Sequence, residues 1–139
     1  MSYSKWFDEH SNKHEKIVTK LRKKAYTKEQ IVEYFDFENM LIKESDFCPL
    51  YKEAKKCHDM ESLNCYLCAC PNFRFNDKGL KEDNGSKILS KCTINNGEKF
   101  VGDKVVHQDC SSCSVPHHKE YVLKNFDLSW QTIMSKCKA

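Results

Sequence analysis

Nowhere in this 139-residue chain is there an apolar run near the roughly 20 residues that a membrane-spanning helix needs. The first ten residues, Met-Ser-Tyr-Ser-Lys-Trp-Phe-Asp-Glu-His10, lack the apolar stretch of a secretory signal. A cytoplasmic address without a membrane contact is the expectation. Internal repeats and low-complexity segments are missing too. So are the HExxH helix of a zinc hydrolase and any pattern of an RRM, a KH domain or a helix-turn-helix. These absences weigh against an enzyme and against nucleic acid as the partner, without excluding either. A protein partner is left open.

The chain is polar, with 40% apolar residues and a mean hydropathy of −0.72. What it has in excess is cysteine: nine thiols, mostly between Cys48 and Cys113. A disulfide framework explains them poorly, because cytosolic thiols stay reduced and an odd number leaves one unpaired. Two turns carry the stronger signal, Cys65-Tyr-Leu-Cys68-Ala-Cys70-Pro71 and Cys110-Ser-Ser-Cys113-Ser-Val-Pro-His117. Each contains CxxC, the spacing that lets two sulfurs converge on one ion, and two such turns complete a four-sulfur shell.

Metal ligation is therefore expected at Cys48, Cys57, Cys65, Cys68, Cys70, Cys92, Cys110 and Cys113, gathered in one or two sites. His58 and His117 are further candidate ligands, and no residue is assigned a catalytic role. His107 and His118 read as supporting donors or surface residues, and His10 and His14 as solvent-exposed. In an extended stretch Cys68 and Cys70 would point the same way, so Cys70 either joins the Cys65–Cys68 chelate or reaches a neighbouring site. Cys137 follows Trp130, Ile133 and Met134 at helical spacing, the place of a structural thiol outside the metal site.

Zinc is the first expectation for such donors in a cytosolic chain. Cys48-Pro49 and Cys70-Pro71 also match the Cys-Pro ending of ferredoxin-type ligand runs, and glycine is missing after the second cysteine of each turn. A 4Fe-4S cluster with a redox or iron-handling role is therefore the alternative. A CxxC redox enzyme is disfavoured because no βαβ pattern surrounds Cys65–Cys68.

Around this centre the reading is helical. Residues 11–26 form a basic helix with Ile17, Val18, Leu21 and Ala25 on one face. Thr27-Lys-Glu-Gln30 has the form of a capping box opening a second helix, 28–43. Asn76–Gly79 and Asp83–Ser86 are turn signals, and Asn95-Asn-Gly97 predicts a hairpin carrying Cys92. Val105 and Val106 supply a short strand, and residues 121–137 return to helix. The expected architecture is small α+β, with a loop-rich, metal-stabilised cysteine core and short hairpins. Helices flank it on the N-terminal side and a further helix on the C-terminal side. The expected segments are 1–45, a helical arm, and 46–139, the cysteine-rich domain. The arm to Lys28 carries eight Lys/Arg against three Asp/Glu, and the remainder 15 against 17. An arm docked on its own body through Ile17, Val18 and Leu21 is the expected consequence.

The set Cys57-His58, Asn64-Cys-Tyr-Leu-Cys-Ala-Cys-Pro71, Cys92 and Asp109-Cys-Ser-Ser-Cys-Ser-Val-Pro-His117 resembles the cysteine-rich small domain family, over residues 46–125. Cys48 answers to that family's first cysteine, with a longer spacing to Cys57, and Asn72-Phe73 stand where the family usually has Leu-Tyr. The resemblance implies a zinc-finger-like, metal-binding domain and no particular activity. A binding or interaction module is the expected role of a metal-stabilised chain without a catalytic signature.

Overall fold

A computed structural model describes residues 2–139; Met1, the first residue of the expected arm, lies outside them. The fold is α+β. The first helix, α1 (Tyr3–Lys23), is longer than the basic helix read from the sequence and starts eight residues earlier. The Ser2 hydroxyl caps it by accepting the Lys5 N–H at 3.0 Å. Its buried stripe runs through Phe7, His10, His14, Ile17, Val18 and Leu21, with Lys20, Arg22 and Lys23 in the last turn. The basic end favours the helix dipole.

The capping box forms as read, with Thr27 N–H on Gln30 Oε1 and Gln30 N–H on Thr27 Oγ1. The helix it opens is nevertheless two helices, α2 (Lys28–Tyr34) and α3 (Phe37–Lys43). The break at Phe35–Asp36 is fixed from outside. The Phe35 carbonyl accepts the Cys65 N–H at 2.8 Å. The Asn64 amide donates to the Val32 carbonyl and the Asp36 carboxylate. Backbone groups claimed by the cysteine turn cannot continue a helix.

Six short strands follow: β1 (Phe73–Phe75), β2 (Lys81–Asp83), β3 (Ser86–Ile88), β4 (Ser90–Cys92), β5 (Glu98–Val101) and β6 (Val105–Asp109). β1 and β4 pair alone, and the other four form a sheet ordered β2-β3-β6-β5. The hairpin expected at Asn95–Gly97 is not one. Cys92 lies opposite Phe73 in the β1–β4 pair, whereas β5 pairs with β6, so the turn crosses between sheets. Gly97 is required there: its φ is +73°, and a Cβ would stand 2.6 Å from the Asp109 carbonyl oxygen. Two short helices, α4 (Lys119–Lys124) and α5 (Trp130–Ile133), close the chain. No helix among the described residues is long and apolar enough to cross a membrane.

One hydrophobic core draws on both expected segments. Phe7, Leu21, Ile31, Phe35 and Met40 of the first pack with Tyr66, Phe75, Trp130 and Met134 of the second. Ile17, Val18 and Leu21 are buried as the docking argument required.

His10 and His14 correct the sequence reading. They are buried at 5% and 0% exposure, because α1 continues its apolar stripe through them. His10 stacks on Trp6 at 4.7 Å and meets Phe47 and Trp130. His14 stacks on Phe35 and donates Nε2–H to the Tyr66 carbonyl. Burial, then the Lys13 charge, pulls His10 down to about 4. Burial, then the neighbouring His10, pulls His14 down to about 3. Both rings are neutral in the folded protein at pH 7. The unfolded chain takes up these protons near pH 6.5, so their contribution is complete above that pH and is lost as pH falls toward 4. The loss for His10 is on the order of 3 kcal/mol. The measurement is denaturant stability against pH for the wild type and His10→Phe at equal metal loading. The gap between the curves should change between pH 6.5 and 4, and a constant gap would contradict the assignment.

Candidate metal centre

Three local devices place the donors. Cys48 precedes a short 3-10 turn, Pro49–Glu53, where Pro49 suits the first position because it has no N–H to lose. The turn brings the Tyr51 hydroxyl to Cys65 Sγ, donating at 3.1 Å. The Cys65–Cys68 turn closes through Cys68 N–H on the Cys65 carbonyl, and Cys70 N–H follows onto Leu67. The Cys110–Cys113 turn closes likewise, directly after β6, and leads into the 3-10 turn Val115–His117.

At one point three donors converge. Ligand atoms of Cys57, His58 and His117 all lie within 4.8 Å of one another. Cys57 Sγ is 3.0 Å from His58 Nδ1 and 3.7 Å from His117 Nε2. The far nitrogens of both rings are committed. His58 Nε2 sits 2.8 Å from the Cys110 carbonyl, and His117 Nδ1 sits 2.9 Å from the Asn64 carbonyl. Carbonyls only accept, so those nitrogens carry the protons. In neutral rings the nitrogens facing Cys57 then present lone pairs. Burial holds His117 below the usual imidazole range and keeps it neutral. A single thiol proton satisfies one of two lone pairs. A cation satisfies both, together with the thiolate. Backbone carbonyls orienting ring nitrogens in this way are the usual support of metal-bound histidine.

Cys57 is exposed as a residue; partial desolvation of its thiol, then Cys48, pushes that thiol up.

The other candidate ligands surround this point. Cys48, Cys57, Cys65 and Cys68 line a cavity of about 260 Å³. Cys68, Cys70, Cys92, Cys110 and Cys113 line an adjoining cavity of about 580 Å³, which Cys57, His58 and His117 also border. Cys68 and Cys70 thus face the same space as Cys110 and Cys113, whereas Cys65 borders only the smaller cavity. All nine cysteines are free thiols. Among the described residues, only Cys57, His58 and His117 bring three ligand atoms within 4.8 Å; the thiols stand at wider spacing than a closed four-sulfur shell. Burial raises the thiols of Cys65 to about 12 and of Cys110 to about 11, with neighbouring thiols adding to the rise. A cation offsets that penalty by stabilising thiolate.

Cys137 stands apart from the ligand pairs. It is 1% exposed and its thiol donates to the Cys70 carbonyl at 3.5 Å. It also borders the larger cavity. His107 meets the Tyr3 hydroxyl, and His118 meets Ser114 Oγ at 3.0 Å. Both stay outside the convergent set.

Sequence reasoning did not assign a role to Asn64, Tyr51 or Asn96. Asn64 is 2% exposed. It ties the α2–α3 break to the Cys65 turn through its side chain and holds His117 through its backbone. Its position immediately before CxxC was the one available signal. No family model, curated protein or solved structure matches the chain.

Proposed function

We propose that this chain is a metal-binding protein whose ions hold the loop-rich half of the fold, with zinc at the Cys57–His58–His117 centre. The observation that carries the reading is the convergence of ligand atoms of Cys57, His58 and His117 within 4.8 Å, with the far nitrogen of each ring held by a backbone carbonyl. A mixed thiolate and imidazole set suits zinc. The resemblance to cysteine-rich small domain proteins supports the same conclusion. The role is that of a binding module, and the exposed Phe100 and Val101 on edge strand β5 offer apolar surface for a protein partner.

The test is the metal content and colour of the full chain purified without oxygen. Colourless protein with bound zinc, and a His117→Ala variant that binds less of it, are the expected results. A brown protein carrying iron and sulfide would replace zinc with the iron–sulfur alternative. Protein that binds neither would end the metal reading.

A further inference from the structure

We infer that Cys70, Cys92, Cys110 and Cys113 form a second metal site, all-thiolate and separate from the Cys57–His58–His117 centre. The inference rests on the metal-binding reading above and adds a second ion with named ligands.

The dividing element is the backbone between Cys68 and Cys70. Ala69 has φ +92° and Cys70 has φ +66°, two successive non-glycine residues in the left-handed region. That conformation is unfavourable for residues with a Cβ, and such outliers persist where the surrounding structure fixes them. It removes the extended geometry in which residues two apart share a side. Cys68 borders the smaller cavity, shared with Cys48, Cys57 and Cys65, as well as the larger one. Cys70 borders only the larger. The strain thus lies between Cys68, which reaches both cavities, and Cys70, which reaches only the larger one. Cys57, His58 and His117 border that larger cavity too, and the two sites are told apart by their disjoint donors.

The other three ligands come from the sheet side. Cys92 lies opposite Phe73 in the β1–β4 pair, and Phe73 N–H binds the Cys70 carbonyl at 3.0 Å, so Cys70 and Cys92 are carried by one small framework. β6 is joined to β4 by Gln108 N–H on Ser90 Oγ at 2.7 Å and runs directly into the Cys110–Cys113 turn. Asn96 completes the frame. Its carbonyl accepts from Gln108 Nε2, and its amide donates to Cys113 Sγ at 3.1 Å. Gly97 allows this loop to lie against Asp109. The four thiols face one cavity at wider spacing than a closed shell, and drawn onto one cation as thiolates they would make a complete structural shell for zinc.

Cobalt(II) replaces zinc and reports its ligands by colour, since each thiolate adds sulfur-to-metal charge-transfer absorption. The reduced full chain, stripped of metal, is titrated with cobalt(II), and native mass spectrometry counts the ions. Two spectral phases are expected, one tetrathiolate and one mixed. Cys92→Ser and Cys110→Ser should each lose one ion and the tetrathiolate phase while keeping the mixed one. His58→Ala and His117→Ala should do the reverse. A single phase in the wild-type protein, or loss of the same ion in both groups of variants, would overturn the second site. The wild-type titration decides the matter even where a variant fails to fold. Absence of any bound cobalt would instead refute the metal-binding reading itself.

Discussion

Removing the metal from the reduced protein with a strong chelator is expected to abolish cooperative unfolding of the cysteine-bearing half. The physical reason is the poverty of apolar burial in its loops and outer strands, away from the core that Tyr66, Phe75 and Trp130 share with the first helix. β2 is exposed throughout its three residues and β5 throughout its four, and the residues from Lys52 to Ser62 contain no strand or helix beyond the end of the 3-10 turn. Ordering each residue costs on the order of 1–2 kcal/mol, and these segments bury too little to offset it. Binding energy of structural zinc, about 10–16 kcal/mol in zinc-finger peptides, is of the required size. The same argument ranks the cysteines. Cys110→Ser removes a ligand and should lower the melting temperature far more than Cys137→Ser. The latter places a hydroxyl in the core beside the Cys70 carbonyl, at a cost of about 1–3 kcal/mol. Circular-dichroism melts with and without chelator are the measurement. An unchanged melt after verified removal of metal would show that the core alone holds these loops.

The features legible in the sequence were those governed by neighbours along the chain. The Thr27–Gln30 capping box formed because both hydrogen bonds join residues three apart. Trp130, Met134 and Cys137 are buried as their spacing implied, with Ile133 half-buried. The expected helix over 121–137 is nevertheless two short ones that end at Ile133 and leave Cys137 in the turn beyond. Where tertiary contacts decided, local reading failed. Nothing between Lys28 and Lys43 announces a break, because the groups that impose it belong to Asn64 and Cys65. The Asn95–Gly97 turn was recognised, but its partners were not. Which strands a turn joins depends on pairing with β1 and β6, far away in the chain. His10 and His14 were misread because histidine is usually solvated, and here the helix stripe carries them into an aromatic core. Within the site, the ligand list followed from cysteine spacing. The convergence of His58 and His117 on Cys57 did not, because it is set by carbonyls of Cys110 and Asn64 that no spacing rule identifies.

Deletion of residues 2–26 should unfold the protein, while reversing the exposed charges of the same segment should leave the fold intact. α1 contributes Phe7, His10, His14, Ile17, Val18 and Leu21 to the interior, and Leu21 and His14 are fully buried. Burying a large aliphatic or aromatic side chain contributes about 1.5–3 kcal/mol relative to exposure. Four such residues together match the 5–15 kcal/mol that an ordinary domain has in total. Lys16, Lys23 and Lys24 are exposed on the opposite side, so changing them to Glu should cost within about 0.5 kcal/mol each. Lys20 is left out of that set because it pairs with Glu44. The two variants separate a structural helix from a recognition arm. A recognition arm would tolerate deletion, and its charge reversal would abolish a binding activity that weakens steeply with salt. With α1 packed against Trp130 and Phe75 through Phe7, the deletion is expected to give a chain without a cooperative melt, even with metal supplied. A deletion variant that still melts cooperatively would show that residues 27–139 fold without this helix.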